Sequence, residues 1–185
     1  MTLRTLNMRT DRLELRRFEE SDAEACFRNW MSDPEVTRFA TWEPHRDVMQ
    51  TRRIIGSWVR QYESGSMDWC IVLRSTGEPI GSITAVRDHP DQRYCELGYC
   101  LAQRYWDNGY MTEALTAVSR YIMDFTDYLF IQARYDTENE ASGRVMEKCN
   151  YKPACEREMP DPKTGRMRTY RFMRLYRSDV MLFVD

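Results

Sequence analysis

The sequence predicts an α/β fold of the mixed α+β kind, with a central mixed, mostly antiparallel sheet flanked by helices. Three strand-like runs, Asp68–Arg74, Pro79–Arg87 and Tyr94–Leu101, follow one another through short connections, which implies an antiparallel meander. A helical run and a further strand-like run come next, and a strand–helix–strand unit makes that part of the sheet locally parallel. Two helix-start signals, at Ser21 and Asp47, lie ahead of the meander.

Taken in order, Leu13 to Phe18 alternates as a first strand. Ser21, with Glu24 three residues on, reads as a capping box, so a helix should run to about Met31, where Asp33-Pro34 ends it. Asp47 caps a second helix, whose apolar positions Ile54, Ile55, Trp58, Val59 and Tyr62 recur at helical spacing. That helix should end near Ser64-Gly65-Ser66. In the meander, Ser75-Thr76-Gly77-Glu78 reads as a hairpin turn and His89-Pro90-Asp91-Gln92 as a second turn. From Gly109 the period is helical, with Ala114, Leu115, Val118, Tyr121, Ile122 and Phe125 in one apolar stripe. Leu129 to Tyr135 is a short strand. Thr137-Glu138-Asn139-Glu140 reads as another capping box and starts a helix through Cys149, which Asn150 ends in the left-handed conformation. Tyr151–Glu158 and Met167–Tyr176 are the last strands, on either side of a loop at 160–165.

Composition narrows the function classes. A chain of 185 residues with 42% hydrophobic and 30% charged residues reads as one globular domain, 1–185, able to bury a core without staples. The net charge of −2 argues against sequence-independent nucleic-acid binding, which needs a basic face, although it leaves room for a local basic patch. No apolar run is long enough to span a bilayer, and the first residues lack the apolar core of a signal peptide, so a cytoplasmic protein without membrane contact is expected. The six cysteines include no Cys-x-x-Cys pair, and several sit in apolar runs as reduced thiols would. His45 and His89 are isolated, so no metal site is expected.

The most informative stretch is Trp106-Asp107-Asn108-Gly109-Tyr110-Met111-Thr112-Glu113-Ala114, which leads from a strand into a helix. Such a loop presents unpaired backbone N–H groups at the positive end of a helix dipole, a setting that favours a phosphate or diphosphate. Gly109 allows the tight turn and close approach that a ligand would need. Neither GxxxxGK[ST] nor GxGxxG occurs, so the cradle is of another type; the plain alternative is that Gly109 only separates strand from helix.

Three further segments go with this loop. Glu96-Leu97-Gly98-Tyr99 lies just upstream, Asn139-Glu140-Ala141-Ser142-Gly143-Arg144 opens the downstream helix that ends at Asn150-Tyr151, and Thr10-Asp11-Arg12-Leu13-Glu14-Leu15-Arg16 stands near the start. In this order and spacing the four resemble the GNAT superfamily of acyl-CoA-dependent N-acetyltransferases, in particular the branch typified by bacterial ribosomal-protein N-terminal acetyltransferases. The resemblance covers about residue 10 to about residue 175. It implies a transferase that uses acetyl-CoA as cosubstrate, needs no metal, and acts on a primary amine, either a protein N-terminus or a small molecule.

The implied reaction has a neutral amine attack a thioester carbonyl. A proton must leave the ammonium, an oxyanion must be stabilised and a thiolate must be protonated. Glu96 is the candidate base for the ammonium proton, because a carboxylate near apolar walls has a raised pKa, as a base working near neutral pH requires. The alternative is a salt-bridged strand residue facing solvent. For the oxyanion, the resemblance points to backbone N–H groups near Tyr99 and Leu101, on a strand that the family splays from its neighbour; Gly98 would ease a bulge there, or serve only as a packing site. Many family members carry a tyrosine where this chain has Met146, which cannot donate a proton. Ser142 is the substitute, unless it is simply a first-turn serine. Asn139 is an N-cap, a ligand for the pantetheine amides, or both.

Trp106, Asp107, Asn108, Gly109, Tyr110, Met111 and Thr112 would wrap the diphosphate. Arg104 and Lys148 are near enough in sequence to reach phosphate oxygens, but solvated surface positions are expected of both. Phe39, Trp42, Trp69 and Tyr94 are pocket walls or core residues, and the loop from Trp42 to His45 borders the acceptor channel. Two other classes compete. A non-catalytic acyl-CoA sensor is suggested by Met146, and a nucleotide-phosphate enzyme by the loop, although the loop lacks a catalytic lysine. The acceptor is not specified by the sequence. Monomer and homodimer both remain open, with the apolar tail Val180-Met181-Leu182-Phe183-Val184 packing on a partner or completing the sheet.

Overall fold

Alternation in the strands and helical periodicity between them build one sheet with helices on both faces. The computed structural model describes residues 5–180. The strands are β1 (Met8–Arg9), β2 (Leu13–Arg16), β3 (Asp68–Leu73), β4 (Glu78–His89), β5 (Tyr94–Leu101), β6 (Phe130–Asp136), β7 (Lys152–Pro160) and β8 (Met167–Tyr176). The helices are α1 (Ala23–Cys26), α2 (Pro34–Thr37), α3 (Val48–Gln61), α4 (Tyr110–Phe125), α5 (Glu140–Lys148) and α6 (Arg177–Val180). The sheet order is β1-β2-β3-β4-β5-β6-β8-β7. Every neighbouring pair is antiparallel except β5–β6, which α4 connects as a parallel crossover.

Each face of the sheet has its own apolar core. Leu13, Leu15, Ile71, Ile83, Leu97 and Ile131 pack under α4 and α5, against Leu115, Val118, Ile122 and Met146. On the other face Cys70, Val72 and Ala102 meet Cys26, Trp30, Met31 and Ile55 from the α1–α3 side. The strict alternation in β2 follows: Leu13 and Leu15 are fully buried, whereas Glu14 and Arg16 are half-buried.

Several local expectations change. Ser21 does not cap the first helix. Instead Asp22 accepts from the Glu19 N–H at 2.8 Å and holds Arg16 bidentately at 2.7 Å, so the acid that satisfies the helix start is the one that Arg16 fixes from β2. A 3₁₀ turn, Glu20–Asp22, leads into α1, which runs on as a π turn, Phe27–Met31. Asp33 starts a helix as well as ending one: its side chain accepts from the Glu35 N–H and opens α2. Thr137 does not cap α5, because its N–H extends the pairing with Thr169; Asn139 is the cap. Phe125 leaves the apolar stripe at the end of α4 and is 62% exposed. Asp47, Gly65 and Asn150 act as predicted, the last with φ 61°. Of the apolar tail, Val180 is buried and residues 181–185 lie outside the described part. Among the described residues no helix is long and apolar enough to cross a membrane.

Candidate active site

The site begins where β5 and β6 part. Their pairing runs from Tyr94–Phe130 to Leu97–Ala133, and the two strands then continue to Leu101 and Asp136 with no further paired position. The Ala102 N–H donates to Ile80 on the β4 side, so by strand alternation the N–H groups of Tyr99 and Leu101 face the gap. The Leu101 carbonyl also faces away from β4, where it accepts from the Trp106 indole N–H at 2.7 Å. The bulge lies elsewhere than expected. Gly98 is regular, and the extra residue is Val86 on β4, where the register shifts between Ala85 and Arg87. A Cβ on Gly98 would stand 3.1 Å from Val86 Cγ1, so the glycine accommodates the bulged neighbour.

The loop after β5 leaves a run of main-chain amides unpaired. Asp107 and Gly109 are both left-handed, at φ 58° and 76°, and Gly109 is the residue from which α4 starts. Among the described residues, none of the N–H groups from Asp107 to Thr112 donates a hydrogen bond; the first to do so is Glu113, to the Gly109 carbonyl. Arg12, from the segment before β2, fixes this loop. Its guanidinium donates to the Asn108 carbonyl at 2.9 Å and to Glu113 at 2.7 Å, and lies 4.4 Å from the centre of the Tyr110 ring. Burial pushes the Glu113 carboxyl up, but hydrogen bonds from Thr10 and Arg12 outweigh it and hold the group below its ordinary value. Trp106 and Asn108 close the loop on itself, with the Asn108 amide donating to the Trp106 carbonyl. Arg104 turns away, tied to Glu78 and Asn29. Lys148 lies with Gly109 and Thr112 along a separate groove on the outer side of α4.

A cleft of about 700 Å³ passes through the gap to the α1–α3 side. Glu96 lines it, 3% exposed. Its carboxylate meets polar partners where apolar walls are expected: Gln132 Nε2 donates to it at 3.0 Å, and Arg134 and Arg87 approach it at 3.5 and 3.7 Å. Glu96 is thus a salt-bridged residue turned into a cleft, which combines parts of both sequence readings. On the α5 side, the Asn139 side chain caps the helix by accepting from the Ser142 N–H at 3.3 Å, while still lining the cleft. Ser142 Oγ is 2.9 Å from the Tyr99 hydroxyl, which also donates to the Ser142 carbonyl at 2.9 Å. Burial pushes the Tyr99 phenol well above its ordinary value, against the opposing Ser142 hydrogen bond, so the phenol keeps its proton at neutral pH. The sequence points only to the Tyr99 backbone; the spacing of strand and helix gives no sign that its side chain reaches Ser142. Met146 is buried beside them.

Phe39, Trp42 and His45 line the α1–α3 side of the cleft. Trp69 and Tyr94 do not. Trp69 is fully buried, edge-on to Tyr121 with its indole N–H on the Leu6 carbonyl, and Tyr94 stacks between His89 and Phe130 at the far end of β5.

Residues 12–152 match the family model described as an acetyltransferase (GNAT) domain. The chain belongs to the GNAT family. It is 33% identical over 145 residues to the N-acetyltransferase YoaA of Bacillus subtilis, covering 78% of this chain and 81% of that one. It is 27% identical over 175 residues to the N-acetyltransferase p20 of Bacillus licheniformis, with 94% and 92% covered. In fold it resembles RimL, a ribosomal L7/L12 alpha-N-protein acetyltransferase solved with coenzyme A, at TM-score 0.84 and 17% identity over 95% of this chain and 99% of that one. A GNAT acetyltransferase from Bacillus anthracis superposes at TM-score 0.82 with 20% identity, over 94% and 99% of the two chains. The protein is therefore an acyl-CoA-dependent acetyltransferase with the mostly antiparallel GNAT sheet.

Proposed function

We propose that the protein moves an acetyl group from acetyl-CoA to a primary amine, by direct attack while both are bound. The observation that carries this reading is the gap between β5 and β6. Beyond its open end the chain leads from β5 into the loop with free amides at Asp107–Thr112, and at its paired end lies the buried carboxylate of Glu96. The residues present fit the cosubstrate: an anion cradle at a sixteen-residue helix, a strip of unpaired main chain, and a polar cap at Asn139. When bound, acetyl-CoA supplies an activated acetyl thioester.

The chain's own groups then have separable roles. The amides from Asp107 to Thr112 bind the diphosphate, without that of Trp106, which donates to the Gln103 carbonyl, and Asn139 offers a donor and an acceptor to amides of the pantetheine arm. The N–H groups of Tyr99 and Leu101 hold the acyl carbonyl oxygen in a site that the strands shield from water. Glu96 takes a proton from the incoming ammonium, directly or through a water, with Gln132 and Arg134 fixing its carboxylate. Ser142 gives a proton to the departing sulfur and takes one from the Tyr99 phenol, which regains it from solvent before the next turnover. The acceptor is a protein N-terminus or a small amine. A panel of amines and short peptides, read by the free thiol released, tests the whole reading. Thiol release that depends on an amine is expected. Tight acetyl-CoA binding with no release across the panel would instead favour the acyl-CoA sensor, which Met146 suggests.

A further inference from the structure

Beyond the cleft, the sheet face that carries Glu96 is an ordered surface of rings and guanidiniums. His89, Tyr94, Phe130 and Tyr176 stand in register on four adjacent strands, with successive ring centres 4.6, 4.8 and 5.9 Å apart. Two residues along, the next row is Arg87, Glu96, Gln132 and Arg174, linked in turn at 3.7, 3.0 and 3.2 Å. Beyond it the Arg134 guanidinium lies 5.5 Å from the Tyr170 ring, and that of Arg157, from β7, lies 5.4 Å from Phe172. Arg174 stacks on Phe130 at 4.4 Å.

The charges on this face do not balance. Arg87 and Arg134 share one carboxylate, Glu96. Among the described residues, Arg157, Arg174 and the neighbouring Lys152, which pairs in register with Arg174, have no acidic partner. A guanidinium stacked on a ring keeps its N–H edge free for a carboxylate. The surface also runs into the cleft, since Arg87, Glu96, Arg134 and Tyr170 belong to both. From Tyr170 to Tyr176 it extends about 20 Å along the strands, and from β6 across β8 to β7 about 10 Å, enough for about three extended residues at about 3.3 Å each.

We infer that this arginine–aromatic face is the docking surface for a polypeptide acceptor that carries acidic residues just after its N-terminal amine. The inference rests on the N-acetyltransferase reading and narrows its acceptor to one class. Positive charge selects carboxylates, the rings cover the apolar parts of an extended chain, and the continuous path lets an α-amine reach Glu96 while the following residues lie across β6, β8 and β7. A nucleic acid would use the same cations but has no alkyl amine to deliver to the cleft.

The test is fluorescence anisotropy with three labelled hexapeptides, acidic, neutral and basic after a common N-terminal residue, in the presence of coenzyme A. It is run on the wild type and on the Lys152→Gln/Arg157→Gln double variant. The wild type should bind the acidic peptide at least tenfold more tightly than the neutral one, and added salt should erase the difference. The double variant should lose that preference and keep its acetyl-CoA affinity and its turnover of a small uncharged amine. Equal affinity for acidic and neutral peptides in the wild type overturns the inference. So does a single-stranded oligonucleotide that binds more tightly than the acidic peptide and is released by the double substitution. A wild-type dimer that the double substitution converts to a monomer would assign the face to a second copy and also overturn it. Acidic-peptide binding on this face without acetylation of any amine would support the docking surface and sink the catalytic reading, so the two can fail separately.

Discussion

At the scale of single residues, the proposed chemistry rests on Glu96 and the Ser142–Tyr99 pair. Replacing Glu96 by Gln keeps the shape and the contact with Gln132 while removing the charge. We expect kcat to fall by about 10²-fold, in the range that a positioned acid or base contributes, with the KM for acetyl-CoA nearly unchanged. Steady-state kinetics with both substrates varied checks this, and an unaltered kcat/KM would remove Glu96 from the mechanism. Ser142→Ala and Tyr99→Phe touch one hydrogen-bonded unit, so their effects on kcat should not add, and the double variant should be little worse than either single one. A fully additive cycle would mean that the two act apart. That Glu96 and Ser142 share one cleft is foreshadowed in the sequence because each lies in a recognisable segment. The surrounding of Glu96 by Arg87, Gln132 and Arg134 is not. Those contacts come from strand register, and register is set by pairing partners remote in the chain.

At the scale of elements, two glycines show how the framework holds the site. Gly143, in the first turns of α5, has an ordinary helical environment but no room: an added Cβ would lie 2.7 Å from the Tyr135 ring. Gly143→Ala should destabilise by about 1–3 kcal/mol, as overpacking does, and should disturb the cleft that Tyr135 lines. Gly109 is the converse. A Cβ there would stand 3.5 Å from Arg12, an ordinary contact, but φ is 76°. Gly109→Ala therefore loses about 1–2 kcal/mol to backbone strain, and by re-aiming the amides it should weaken acetyl-CoA binding more than Gly143→Ala does. Thermal melts and calorimetry on the two variants separate these effects. The strands, the long helices and the turn into α4 are legible because period, capping and turn residues are written in consecutive positions. The starts of the short helices are not. At Ser21 and Thr137 the pattern for a capping box is present, but long-range partners, Arg16 with Asp22 and Thr169 with Thr137, decide which residue caps.

For the whole molecule, pH and ligand binding report on the same architecture. Burial pushes the His45 imidazole below its ordinary value of 6.5, partly opposed by Asp47, and its Nδ1 faces the Thr51 hydroxyl at 2.8 Å. The unfolded chain then binds a proton at a pH where the folded one does not, so stability falls as the pH drops through and below about 6.5. Glu78, held below its ordinary value first by the Tyr105 hydroxyl, and Glu113 act in the same direction at lower pH, where protonation removes the stability they contribute. Asp68 opposes them: burial raises its carboxyl, so its contribution is lost as pH rises instead. A lower Tm at about pH 5 than at about pH 7 is expected, and His45→Gln should flatten the upper part of that fall; an unchanged profile in the variant would assign the acid limb to the carboxylates. Ligand linkage supplies the complementary measurement. A cosubstrate that binds only the folded chain stabilises it by about 2.7 kcal/mol at a hundred times its Kd, which for a chain of this size raises Tm by roughly 5–10 °C. In the proposed mode acetyl-CoA engages the amide loop and the split strands together, whereas ATP has no group to place between β5 and β6. Acetyl-CoA should therefore shift the melt by several degrees and ATP by much less, and an equal shift from both would show that the loop reads a nucleotide phosphate instead of a thioester carrier.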